Sequence, residues 1–204
     1  WEPDKLSSPS ESERQKLFGP SRLGILYSDN FGRAHNAEDF ISLARELLPE
    51  DTRFCFAIRG NRAGELCQTI QTEALPNIRL AEFAAEKDIG TRLSAADILM
   101  VSLKQEWTGT VVPSKFFGAL AAGRPVLFAG SNNSSIARWI RTHQVGWVLN
   151  SESRNTIAVE LRQLASDRTR LLALQQHCHR IYRDHFSRSR VTALWRDELQ
   201  SLLR

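Results

Sequence analysis

The chain has 204 residues, 42% hydrophobic and 25% charged, with a formal net charge of +4. This is the balance of a folded chain with one sizeable domain or two small ones, which excludes intrinsic disorder. No apolar run approaches the ~20 residues of a membrane span, and no basic run interleaves with aromatics, which speaks against a nucleic-acid partner.

The elements follow in chain order. Residues 1–21 are rich in Ser, Pro and charge with almost no apolar periodicity, and read as a linker or entering arm. The opening Trp-Glu-Pro-Asp, without methionine, suggests a fragment of a longer protein. Strands are expected at 23–28, 54–58, 78–81, 97–103, 125–129 and 146–149, each a short continuous apolar run. Helices are expected between them at 36–48, 64–73 and 86–95, from Pro113 onward, and at 134–143. Three further helices, 156–165, 167–185 and 187–203, make the tail. Strict strand–helix alternation with fully apolar strands predicts an α/β fold. The sheet is Rossmann-like and parallel, with helices on both faces and a helical C-terminal tail. Residues 22–204 then form one domain.

Cys55, Cys67 and Cys178 are widely spaced and form no Cys-x-x-Cys, which fits a reduced, cytosolic setting. His177, Cys178 and His179 are sequence neighbours, but i and i+2 on a helix point apart, so no metal site is expected there.

In a parallel α/β sheet, ligands sit beyond the carboxyl ends of the strands. Four loops lead away from those ends. The first, 29–36, offers Gly32 for close backbone approach and Arg33 and His35 as donors. The second, 59–62, offers Gly60 and Asn61 between two arginines. The third, 82–85, contains Phe83 and a backbone able to read a base edge; Phe83 also reads as core. The fourth, 104–115, carries Glu106, Trp107, Thr108, Gly109, Thr110, Pro113, Ser114 and Lys115. Pro113 suits a first helical turn, whose free amides and dipole attract anions, and Lys115 adds a full charge. That combination suits a diphosphate. Thr110 or Ser114 capping a structural helix is the plainer alternative. Gly123-Arg124-Pro125 reads as a helix-ending glycine and a strand-opening proline.

These segments resemble a family. They are Tyr-Ser-Asp-Asn-Phe-Gly-Arg-Ala-His-Asn over 27–36, Ala57 to Asn61, Ala96-Asp97-Ile98-Leu99, and the run over 109–126 ending Ala-Ala-Gly-Arg-Pro-Val. In order and spacing they are similar to the C-terminal, donor-binding domain of GT-B-fold, group-1-type retaining glycosyltransferases. The resemblance implies a donor half that holds a nucleotide diphosphate sugar. A missing N-terminal domain of the same chain would hold a glycan or lipid-linked acceptor and make peripheral contact with the inner membrane surface. A setting in polysaccharide biosynthesis follows, with the fragment inactive alone. By position, Gly32 and Arg33 lie near the sugar diphosphate, Gly60 and Asn61 near the nucleotide, and Phe83 near the base. The Pro113 to Lys115 start would hold phosphate, and the tail from Thr192 would cross back to the first domain. Many members carry two glutamates with seven residues between them. The matching places here hold Thr110 and Gly118, with Glu106 as a substitute for the first. The chemistry expected is stabilisation of the leaving diphosphate by Lys115 and Arg33, with His35 as a weaker contributor. No metal or other cofactor is expected. Two alternatives stay open: a non-catalytic nucleotide-sugar-binding or scaffold domain, and a GT-B-like sugar-nucleotide epimerase.

Overall fold

A computed structural model describes residues 9–48 and 51–202. Six strands, β1 (Leu23–Asn30), β2 (Thr52–Arg59), β3 (Ile78–Ala81), β4 (Ile98–Leu103), β5 (Val126–Gly130) and β6 (Gly146–Leu149), form one sheet. The order is β3-β2-β1-β4-β5-β6, and each neighbouring pair is parallel. Helices α1 (Glu11–Phe18), α2 (Glu38–Glu46), α3 (Ala63–Glu73), α4 (Ile89–Ala95), α5 (Lys115–Ala121), α6 (Ser135–His143), α7 (Arg154–Ser166), α8 (Arg168–Ile181) and α9 (Arg188–Leu202) complete the described residues.

Because side chains alternate across each strand, the sheet feeds two cores. Ile25, Tyr27, Phe54 and Phe56 pack with α2, α3 and α7 on one face. Leu26, Cys55, Leu99, Val126 and Phe128 pack with α1, α5, α6 and Cys178 on the other. Burial raises the pKa of the Cys55 thiol to about 12 and holds that of Cys178 higher still. Both thiols therefore behave as small apolar groups. The neighbours of Cys178 diverge as their helical spacing predicts: His177 Nε2 reaches the His143 carbonyl at 2.7 Å, and His179 Nδ1 reaches the Ala121 carbonyl at 3.0 Å.

One reading needs correction. Within the stretch expected to be a linker or entering arm, residues 11–18 form α1, and Leu17 and Phe18 are buried. The helix buries only its last turn, so it leaves no amphipathic stripe in the sequence. It is started by Ser10, whose Oγ accepts from Glu13 N–H at 3.3 Å, and stopped by Gly19 at φ 62°. Ser10-x-x-Glu13 is a capping-box pattern and was the available signal. The opening Trp1 to Asp4 and Leu203 lie outside the described residues.

The amino ends of the strands carry a buried ionic cluster that the sequence reading did not anticipate. Asp97, 1% exposed, precedes β4. Its Oδ2 accepts from Gly24 N–H at 2.8 Å and lies 2.7 Å from Arg14 of α1. Its Oδ1 accepts from Arg168 of α8 at 2.7 Å, and its carbonyl accepts from Gln175 at 3.2 Å. Arg124, also 1% exposed, donates to the Ser94 carbonyl at 2.7 Å. Burial lowers the Arg124 pKa to about 10, and the Asp97 charge opposes the shift. Gly123-Arg124-Pro125 is thus more than a turn: Gly123 ends α5 at φ 65°, and Arg124 joins the anchor of β4.

Candidate functional site

At the carboxyl edge the chain leaves β1 for β2 on one side, while β4 lies on the other. The loops after β1 and β4 therefore diverge over a crevice, the usual ligand position in such a sheet. Backbone bonds tie the loops together. Lys104 N–H donates to the Ala34 carbonyl at 2.8 Å, joining the β4 loop to the β1 loop. Phe31 N–H donates to Arg59 C=O at 2.6 Å and Arg62 N–H to Phe31 C=O at 3.2 Å, joining the β1 loop to the β2 loop.

Gly60 makes the second junction possible. Its φ is 116°, and a Cβ there would sit 2.5 Å from Asn30 Oδ1 and 2.7 Å from the Phe31 carbonyl. Gly32 is under no such constraint, since a Cβ would meet only Asn61 Oδ1, at 3.5 Å. Among the described residues, Arg33 makes no ion pair. It lines an open cavity of about 620 Å³ with Asn61, Arg62, Glu65, Lys104, Glu106 and Trp107. Glu106 stands in a 3₁₀ turn, Gln105–Trp107, and its carboxylate is 4.0 Å from Lys104 Nζ. Trp107 is half-buried against the second core and also forms this wall.

Beyond Trp107, Thr108 has a hydroxyl oxygen buried without a hydrogen-bond partner. Gly109 turns at φ 87°, and the exposed Thr110 N–H donates to the Trp107 carbonyl at 3.1 Å. Pro113 and Ser114 lead into α5. Phe116 N–H reaches the Pro113 carbonyl and Phe117 N–H the Ser114 carbonyl, at 3.2 and 3.1 Å. The Ser114 side chain makes no capping bond, so it does not act as the structural cap considered from sequence. The side chain of Lys115, 40% exposed, reaches back to the carboxyl end of β1, where Nζ is 3.8 Å from Asp29 Oδ1. The start of α5 therefore opens toward the crevice and not the opposite surface. Gly118 has open space where a Cβ would be, and no side chain there to meet a ligand.

His35 is half-buried. Its Nδ1 lies 3.0 Å from the Ser102 carbonyl and 3.4 Å from Ser102 Oγ, which in turn is 3.0 Å from Tyr27 Oη. A carbonyl only accepts, so Nδ1 is the protonated ring nitrogen, and Nε2 is the atom left for a ligand. Tyr27 is buried beside Asp29, and both facts raise its pKa far above the ordinary phenol value. Phe83 belongs to neither core. It is half-buried, with the Arg59 guanidinium 4.4 Å from its ring centroid.

The cavity at the crevice thus gathers Arg33, Asn61 and Glu106. Lys115, Ser114, His35 and Phe83 occupy the same sheet edge without lining it. Asp29, Ser102 and Lys104 are the members that the sequence reading did not single out; Lys104 follows β4 directly, as Arg59 ends β2. A larger groove, about 1030 Å³, runs along the free edge of β6 between α6, α7 and α8. It lies away from the β1–β4 crevice, and its Arg141 and Arg170 are matched by Glu152 and Glu160, whereas Arg33, Arg62 and Lys104 outnumber Glu65 and Glu106 in the smaller cavity, the better anion site.

No protein-family model matches the sequence. A probable glycosyltransferase of Pseudomonas aeruginosa, WbjE, is 32% identical over 124 residues, which is 58% of this chain and 30% of that protein. The chain therefore spans under a third of the length of that curated relative. Among solved structures, it resembles the C-terminal domain of a group 1 family glycosyl transferase, LpcC, from Francisella tularensis. There the TM-score is 0.66 at 19% identity, covering 90% of this chain and 97% of that one. It also resembles Anabaena HepE in complex with UDP-glucose, with a TM-score of 0.70 at 17% identity over 96% of this chain and 54% of that one. On this likeness the chain has the fold of the C-terminal domain of GT-B, group 1 glycosyl transferases.

Proposed function

We propose that this chain is the donor-binding half of a glycosyltransferase and holds a nucleotide diphosphate sugar in the β1–β4 crevice. The observation that carries the proposal is the start of α5: it opens at the carboxyl edge, and Lys115 projects from it across to the end of β1. Cleaving the sugar–phosphate bond leaves negative charge on the departing diphosphate. Lys115 and Arg33 bind that charge, aided by the backbone N–H groups of Ser114 and Lys115, and fixed donors of this kind carry much of such a barrier reduction. His35 offers Nε2 at the rim. Gly32 lets the diphosphate approach the backbone, Gly60 and Asn61 flank the nucleoside, and Phe83 backs the base. Glu106, Thr108, Gly109 and Thr110 form the wall facing the sugar.

Two comparisons support this reading: a relative described as a probable glycosyltransferase, and a like-folded protein crystallised with UDP-glucose. The acceptor is a glycan or lipid-linked sugar held by the other half of the enzyme, with transfer by retention, in the cytoplasm at the inner membrane surface. No helix among the described residues is long and apolar enough to cross a membrane. The domain takes in α1 together with residues 22–202, since Leu17, Phe18 and Arg14 pack into it, and α9 is the link to the other half. Val191, Leu194, Trp195, Leu199 and Leu202 of α9 are all exposed, and none of its residues is buried.

The test is Lys115→Ala in the full-length protein. Losing one such donor costs about 3 kcal/mol of barrier, or a hundredfold in turnover. Near-normal turnover overturns the assignment. The bare helix position at Gly118 favours a second reading, a module that binds the nucleotide sugar without transferring it. UDP-glucose binding without turnover in any acceptor assay selects that reading.

A further inference from the structure

We infer that Asp29 is a built-in competitor for Lys115 that speeds release of the nucleoside diphosphate product. The inference rests on the diphosphate reading of the crevice. Asp29 stands near the carboxyl end of β1, its side chain only 13% exposed, with Oδ1 3.8 Å from Lys115 Nζ. It cannot easily turn away, because the same Oδ1 accepts from Asn30 N–H at 2.7 Å and strand pairing with β2 holds its backbone.

A phosphate-binding lysine needs no carboxylate beside it. The pair keeps Lys115 aimed at the crevice before any ligand arrives, and a diphosphate must then displace Asp29 as its partner. Once the diphosphate is bound, a fixed, poorly screened negative charge remains within a few ångströms of it. The penalty is unequal along the reaction. In the donor, one phosphate oxygen is esterified to the sugar. When the sugar–oxygen bond breaks, that oxygen keeps the electron pair, and the product carries one more negative charge than the donor did. Asp29 therefore opposes the product more strongly than the substrate, while Lys115 and Arg33 attract both. Asp29 is a positioning residue for Lys115 and a discriminator between the two ends of the reaction.

Asp29→Asn tests this directly, since it removes the charge and keeps an oxygen for Asn30 N–H. In the full-length protein, calorimetric titration with UDP, GDP and ADP identifies a binding nucleotide. The expected result is about tenfold tighter binding of that diphosphate in Asp29→Asn at low salt, with the gain shrinking at high salt. The matching nucleotide sugar gains about threefold or less, and product inhibition strengthens in the same proportion as diphosphate binding. Asp29→Glu restores the charge and returns affinity toward the parent value. Unchanged or weaker diphosphate binding in Asp29→Asn, or equal gains for diphosphate and sugar donor, overturns the inference and leaves the donor-binding proposal standing. If the parent protein binds no nucleoside diphosphate, the donor-binding proposal fails and this inference fails with it.

Discussion

The two edges of this sheet use the same residue types to opposite ends. At the amino edge, Asp97 is buried, and each of its carboxylate oxygens and its carbonyl is engaged by Arg14, Arg168, Gly24 or Gln175. At the carboxyl edge, among the described residues, Arg33 is exposed without an ion pair, and Lys104 and Lys115 have carboxylates only at 4.0 and 3.8 Å. A charge satisfied on every side is committed to the fold. A charge held loosely at an open edge remains available to a ligand. The difference lies in desolvation: withdrawing one partner from a buried pair strands the other, whereas an exposed cation regains water.

Asp97→Asn leaves Arg14 and buried Arg124 without their counter-charge. It should lower unfolding stability by about 3 kcal/mol, read as a lower denaturant midpoint, while UDP affinity stays within twofold once the protein is folded. A stable Asp97→Asn protein would end the claim that this edge is structural. Gly60→Ala acts on the other edge through the backbone. With φ at 116° and a Cβ 2.5 Å from Asn30 Oδ1, it should cost about 1–3 kcal/mol and displace the Phe31 junction, weakening nucleotide binding. Gly118→Ala should go the other way. The site is open and helical, so thermal unfolding should show a gain of about 0.5–1 kcal/mol without loss of ligand binding.

The smallest effect concerns His143, whose ring centroid is 4.6 Å from that of His185. Burial lowers its pKa, and the charges of His185 and His177 add to the shift. The folded chain therefore takes up this proton less readily than the unfolded chain does. Its contribution is fully present above the ordinary histidine range and is lost as pH falls through it. His143→Gln should flatten that acid-side loss of stability in melts compared at pH 7.5 and 5.5.

The alternating architecture was legible because the inner strands β1, β2, β4 and β5 are buried on both faces along most of their length and read as apolar runs, while the edge strands β3 and β6 are only partly buried. All six strand positions agree with expectation to within about two residues, as for 54–58 against Thr52–Arg59. Helix α1 escaped because it packs through Leu17 and Phe18 alone and otherwise through ion pairs, such as Glu13–Arg92 at 2.5 Å, that periodicity does not register. In the crevice, Pro113, Ser114 and Lys115 stood out because helix starts have local rules. Asp29 and Ser102 did not, because their meaning arises only when β1 and β4 become neighbours, 73 residues apart at Ile25 and Ile98. Asp97 escaped for the same reason.

That one non-sequential pairing also bears on how the chain reaches its native state. β1 to β3 form neighbours in succession, as do β4 to β6, so each half can assemble by closing short loops. Bringing β1 to β4 closes a far longer one, at greater entropic cost, before the centre of the sheet exists. The contacts of Asp97 with Gly24 and Arg14 span that seam. If they form at the folding barrier, weakening them slows folding more than it hastens unfolding.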